Sequence, residues 1–267
     1  MLHLLHIEQK KLLKYKTFWI LTGLFFGLMV LVFFGVQGFI NEVTQNTNTK
    51  SPVAIPEMSL YQFPDVWHNI TFLAGYFKTI LGIIFLILLT NEYTFKTIRL
   101  NIIGGLSRRD YFTGKALLMT ALALALALLI LVAGSILGFT NTKDVTLLMA
   151  MEKIAFPFAY LAETICYLFF VFFIGTILRK AGLAIGLLLL YTYIIEPILS
   201  FKLPDKISPY LPLNAVGNII QVPNTQLMRV FGVEFYDGVS YASMGAAAAW
   251  AVLFGGMTYY ILKNKDL

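Results

Sequence analysis

Twenty-five consecutive residues, Thr17–Asn41, contain no ionisable acid or base. The hydrocarbon core of a bilayer, about 30 Å thick, needs roughly 20 apolar residues in a helix. Five further stretches repeat the pattern. One near Ile70–Thr90 is interrupted by Lys78 alone, and Ala116–Thr142 carries no charge. Ile154–Leu178 contains Glu163, Ala181–Ser200 contains Glu196 followed by Pro197, and Gly238–Leu262 is again uncharged. Composition agrees: 58% of residues are hydrophobic and 13% charged, against about 25% charged in soluble domains, so this chain could not clothe a water-facing surface. The reading is an all-α integral membrane protein, one transmembrane domain over residues 1–267. Its six spans fall at about 17–40, 66–90, 114–140, 154–178, 181–200 and 238–262. Arg179 and Lys180 alone separate spans four and five, which predicts a tight helical hairpin. The first apolar stretch is too long for a signal peptide and lacks a small-residue cleavage site, so it reads as a retained span.

Basic residues set the direction. One side collects Lys10, Lys11, Lys14 and Lys16, then Lys96, Arg99, Arg108, Arg109 and Lys115, then Arg179 and Lys180, and finally Lys263 and Lys265. These 13 face only 4 acids, Glu8, Glu92, Asp110 and Asp266, whereas the other side has 6 basic residues and 8 acids. The formal charge of +6 therefore divides into +9 on one side, −2 on the other and −1 within the spans. That is a topological bias, not a patch for nucleic acid, and it predicts cytoplasmic termini.

Outside the spans, Met1–Lys16 reads either as an amphipathic surface helix or as a plain basic flank. Leu2, Leu5, Leu12 and Leu13 fall on one arc of a helix, with Lys10, Lys11 and Lys14 opposite. Between spans two and three, Phe95, Ile98 and Ile102 share one helical face with Lys96 and Arg99 off it. This segment is suited either to receive force from a soluble partner or simply to lie on the membrane surface. Gly104-Gly105 should break it, and Ser107 with Asp110 resembles a capping box that starts the next helix. Seven of the nine prolines lie in the two loops of the opposite side, 41–65 and 201–237. The second loop, extracytoplasmic on this reading, has apolar clusters around Leu211, Leu213, Val216, Ile219 and Ile220, which predict short helices packed at the membrane face. Asn69-Ile70-Thr71 fits a glycosylation acceptor but abuts span two, so it is discounted.

Catalytic chemistry is scarce. There is no GxxxxGK[ST] phosphate loop, no HExxH and no GxSxG. The single cysteine, Cys166, and three histidines, His3, His6 and His68, cannot make a disulfide framework or a Cys- or His-rich metal cluster. What remains is ionisable residues inside spans, where charge is costly and often functional. Glu163, near mid-membrane, reads as a path-lining group or as a hydrogen-bonded packing residue. Glu196 reads as a path residue or an interfacial one. Lys78 either points into the path or snorkels outward, and a Lys78–Glu163 pair is conceivable.

The string Asn91-Glu92-Tyr93-Thr94-Phe95-Lys96-Thr97-Ile98-Arg99, followed by Gly105-Leu106-Ser107-Arg108-Arg109-Asp110-Tyr111-Phe112 and Gly114-Lys115, resembles the ABC-2 type permeases. The motif covers about 25 residues, while the layout of elbow, six spans and a long outer segment covers the whole chain. The resemblance implies a type V exporter-like fold with an elbow helix at 1–16 and a coupling loop at 91–113. It implies the membrane half of an ATP-driven exporter in a bacterial inner membrane, paired with a second permease subunit and with separate ATPase subunits. ATP and magnesium would then sit on the ATPase, leaving no cofactor, metal or catalytic residue here. Glu92, Phe95, Lys96, Ile98, Arg99, Ile102, Arg108 and Arg109 are the candidate coupling residues. Lys78, Glu163 and Glu196 are the candidate translocation-path residues. An ion-coupled secondary transporter is the alternative. It would call for discontinuous helices in inverted repeats, and no convincing repeat is visible. An integral-membrane enzyme is disfavoured by the missing chemistry.

Overall fold

A computed structural model describes residues 8, 10–13, 15–50, 60–223 and 237–264, side chains of 40, 41 and 43–50 excepted; among these residues there is no strand. After a helical stretch at residues 10–13 come α1 (Lys16–Lys50), α2 (Val66–Gly75), α3 (Lys78–Thr94), the short α4 (Thr97–Ile103) and α5 (Arg108–Asn141). α6 (Leu147–Met151) and α7 (Ala155–Leu178) follow, then α8 (Ala181–Leu190), which runs through a π-helical turn at Tyr191–Ile195 into α9 (Glu196–Lys202). A 3-10 turn (Ser208–Tyr210), α10 (Pro212–Gly217) and α11 (Tyr241–Asn264) complete the order. Five segments are long and apolar enough to cross a membrane, and α2 with α3, bent by 45° across a short break, makes a sixth.

Local chemistry explains the boundaries. Gly105 takes φ +95°, open to glycine without strain, and separates α4 from α5. Ser107 then caps α5: its Oγ accepts the Asp110 N–H at 3.1 Å, and Asp110 Oδ2 accepts the Ser107 N–H at 3.3 Å. Arg179 in the left-handed region closes α7, donating its N–H to the Gly175 carbonyl at 3.0 Å, and Lys180 leads directly into α8.

Span four is the hub. Its α7 packs against α2, α3, α5, α8, α10 and α11, and 56% of an apolar 18-residue stretch of the span is buried, compared with 22% of such a stretch in span one and 17% in span five. The exposed faces of those two spans are apolar, with Leu24, Leu31, Leu183 and Ile194 on their surfaces, which suits contact with lipid chains. Small residues let the helices approach. A Cβ at Gly82 would stand 2.8 Å from the Tyr167 ring, at Gly134 2.7 Å from Trp67, and at Gly175 2.6 Å from Leu89.

The helices do not coincide with the expected span limits. Span two is not one helix over 66–90: it breaks after Gly75 and resumes at Lys78, whose side chain is drawn to Glu163. It also continues to Thr94. The helix of span three starts at Arg108, at the Ser107 cap that the sequence marks. The first helix runs on to Lys50. Span five is regular only to Leu190, where the π turn begins.

The two ends separate by charge as the sequence requires. At the basic end, Arg108 Nη1 donates to the Leu262 and Lys263 carbonyls at 2.7 and 2.5 Å, the favoured place for a cation at a helix C-terminus. At the other end Lys153 bridges Asp65 and Asp237 at 2.7 and 2.5 Å, joining spans two, four and six. Trp67 Nε1 there donates to the Ala150 carbonyl at 2.7 Å. In the 201–223 segment a 3-10 turn and α10 form; of the expected apolar cluster Val216, Ile219 and Ile220 are buried, the last two just after α10, and Leu211 and Leu213 are half-buried. Trp250 of span six holds it by donating to the Tyr210 carbonyl at 2.8 Å. Asn69 is buried, its amide donating to the Leu60 carbonyl, so it is closed to glycosylation.

Candidate functional site

The basic end contains a buried charge cluster. Lys115, fully buried one turn into the apolar part of α5, donates to Glu8 Oε2 at 2.7 Å and to Glu92 Oε1 at 2.8 Å. Lys11 adds a second ammonium, 3.1 Å from Glu8 Oε1 and 3.6 Å from Glu92 Oε1. Tyr111 donates its hydroxyl to Glu92 Oε2 at 2.9 Å, and Asn91 donates to the Tyr15 hydroxyl at 2.5 Å. Two acids and two lysines thus neutralise one another, which is the condition for charge to persist away from water. Burial works to raise the Glu8 carboxyl, but Lys115 and Lys11 outweigh it and hold the group below the usual carboxylate range. The cluster ties the N-terminal segment to the ends of spans two and three.

The segment read from sequence as a candidate coupling loop follows directly on this root. The expected face of Phe95, Ile98 and Ile102 does not exist as one face. α3 ends at Thr94, Lys96 turns into the left-handed region at φ +56°, and α4 restarts with its phase shifted. Ile98 is consequently buried and Ile102 half-buried, while Phe95, Lys96, Arg99, Leu100 and Ile103 are exposed. The Thr97 hydroxyl donates to the Glu92 carbonyl at 3.2 Å across the break. Arg108 and Arg109 are committed elsewhere, Arg108 to the end of span six and Arg109 to the Tyr259 hydroxyl at 2.9 Å. Of the eight candidates, Phe95, Lys96 and Arg99 lie on the exposed tip, Glu92 at its root, Ile98 and Ile102 against the core, and the two arginines on span six.

In the N-terminal segment, Leu12 is buried and Leu13 exposed, so the two do not face one way; Leu2, Leu5 and Lys14 lie outside the described residues. Glu8, like Lys11 and Lys115, was counted by sequence only as a topological charge, and its place in the cluster was missed. Its signal was Lys11 at i+3, a spacing that places the two side chains together on a helix.

Deeper in the spans, Lys78 and Glu163 form an ion pair at 2.5 Å. Lys78 therefore does not snorkel, because a buried carboxylate within reach is a better partner than distant water. The pair lines a cavity of about 270 Å³ together with Tyr76, Thr79, Thr192 and Tyr193. Both irregular spans meet there: the break of span two supplies Tyr76 and Lys78, and the π turn of span five supplies Thr192 and Tyr193. Such π turns recur at functional sites. Glu196 is separate. It is buried, and its Oε1 accepts the Asn214 N–H at 2.5 Å at the start of α10. The Asn214 amide donates in turn to Ser200 Oγ and the Ser208 carbonyl. Glu196 fastens the outer segment to span five.

Five long apolar helices and a sixth, bent one have the length and composition of a multi-pass membrane protein. Residues 2–267 match the family model described as ABC-2 family transporter protein, and the chain belongs to that family of permeases. Comparison with individual curated proteins finds no match.

Proposed function

We propose that the chain is the permease subunit of an ATP-driven exporter. It works with a separate ATPase that carries ATP and magnesium, and with a second permease subunit, in a bacterial inner membrane with both termini cytoplasmic. One observation carries this reading: an exposed tip with Phe95, Arg99, Leu100 and Ile103 stands on a root, Glu92, that is locked by charge to spans two and three. Phe95 is 69% exposed and Ile103 75%, so the tip offers apolar surface to a partner. Movement imposed on it passes through Glu92 to Lys115 and Glu8, and from there to two spans and the N-terminal segment. This is how a docked motor biases a membrane body between two states. The absence of a phosphate-binding loop, the layout of the family and the positive-inside bias support the same reading, and the export direction follows from the family resemblance.

Affinity purification should recover an ATPase subunit, and Arg99→Glu or Phe95→Asp should release it, leaving its ATP turnover uncoupled from transport while the spans stay folded. Transport by a pure preparation with no ATPase overturns it. The Lys78–Glu163 cavity between two irregular helices also favours a second reading, transport coupled to an ion. That reading requires transport abolished by an ionophore and indifferent to ATP depletion.

A further inference from the structure

The cavity between the two irregular spans holds charges of both signs that sum to zero. Lys78 enters it from the restart of span two, and Glu163 from α7. Phe72, Tyr76, Tyr193 and Ile220 supply its apolar wall. We propose that this cavity takes a small zwitterionic substrate, with an ammonium and a carboxylate side by side on an apolar body. The proposal rests on the reading of this cavity as part of a transport path.

Neither charge is a surface charge. The Glu163 side chain is 3% exposed and that of Lys78 17%. The two are joined through Glu163 Oε1 alone, at 2.5 Å. Among the described residues Glu163 Oε2 accepts no hydrogen bond, and Lys78 spends one of its three ammonium hydrogens. Buried polar groups are normally satisfied more fully than this. The capacity left over, one acceptor oxygen and two N–H donors, belongs to side chains that line the cavity. Donors and acceptor stand next to each other, so the fitting guest offers both, also side by side. An ammonium set against Glu163 and a carboxylate against Lys78 complete a ring of four alternating charges.

Charge balance disfavours simpler guests. The pair is neutral as it stands, so a guest with one net charge would leave that charge uncompensated between apolar spans, where it is costly. An apolar guest would cover the open donors and acceptor without replacing their hydrogen bonds. A zwitterion does neither. Aromatic faces carry negative potential, so Phe72, Tyr76 and Tyr193 suit an ammonium as well as an apolar body. The volume of about 270 Å³ lies just under the roughly 300–1,000 Å³ usual for drug-sized ligands, which points to a small molecule.

The test is isothermal titration calorimetry of the purified full chain in detergent, at neutral pH, with three probes. Phenylalanine, phenethylamine and 3-phenylpropionate share a ring and differ in charge. Phenylalanine should bind at least tenfold tighter than either of the others. Glu163→Gln leaves the Lys78 ammonium alone in the cavity, so 3-phenylpropionate should become the tightest of the three. An ion pair that serves packing only would not reverse the order. A thermal melt checks that the variant folds; if it does not, the wild-type order decides alone. Equal affinity for the three probes, preference for a singly charged one, no binding of any, or an unchanged order in folded Glu163→Gln overturns the proposal. The assay contains no ATPase, so its failure is separate from that of the export reading. A preparation that shows the expected order but yields no ATPase overturns export alone, and one that yields the ATPase with the wrong order overturns the zwitterion alone.

Discussion

Lys115 has no exposed surface, and its ammonium is held between Glu8 and Glu92. Removing one member of a buried charge group leaves the others uncompensated, at a cost of roughly 3–5 kcal/mol. Lys115→Met should therefore lower the thermal midpoint in detergent sharply, and adding Glu92→Gln should recover part of the loss; a Lys115→Met melt that coincides with wild type contradicts a structural role. Acid should act through Glu8. Its folded carboxyl is held below the ordinary 4.5, so its contribution is complete above that pH and is lost as pH falls through the lowered folded value. Hydrogen exchange at residues 10–13 should quicken across that window in wild type, and a Glu8→Gln variant should show no such acid step. Legibility differed between the two charge groups. Lys78 and Glu163 stand alone in apolar runs, so their pairing could be named in advance. Glu8, Glu92 and Lys115 sit at span ends where charge is ordinary, and 107 and 23 residues separate Lys115 from its two partners, beyond any local periodicity.

Helix-scale features were readable where the chemistry is local. The Ser107–Asp110 cap, the glycine break before it and the hairpin at Arg179-Lys180 all follow from neighbouring residues. The face of Phe95, Ile98 and Ile102 was misread because one residue, Lys96, resets the helical phase, and a periodicity that runs across the break puts Ile98 on the side of the exposed Phe95. The break in span two and the π turn in span five were likewise invisible, since both depend on tertiary partners: Lys78 reaching Glu163, and Glu196 holding α10. Packing between elements gives a direct prediction. Gly175 faces Leu86 and Leu89 of span two with no room for a side chain, so Gly175→Leu should destabilise by about 1–3 kcal/mol or more, read as a lower denaturation midpoint. Gly186, with open space where a Cβ would stand, should tolerate the same change.

At the scale of the molecule, span number and charge bias were available from the sequence because a bilayer imposes both. Which span forms the hub was not, since span four is no more apolar to the eye than its neighbours. The single cysteine makes topology testable: in a Cys166→Ala background, Ser107→Cys and Asp205→Cys should be labelled by an impermeant reagent from opposite sides, Asp205→Cys in intact cells and Ser107→Cys only after lysis. Labelling of both from one side would refute the alternation of the spans. The central claim is that a separate ATPase drives this body through the tip at residues 95–103. Phe95 is largely exposed, so Phe95→Asp should change stability by no more than about 0.5 kcal/mol. The decisive measurement is therefore co-purification of the ATPase subunit with wild type and Phe95→Asp, alongside their thermal midpoints. The account predicts an ATPase bound to wild type and lost from Phe95→Asp at an unchanged midpoint; an ATPase retained equally by both contradicts it.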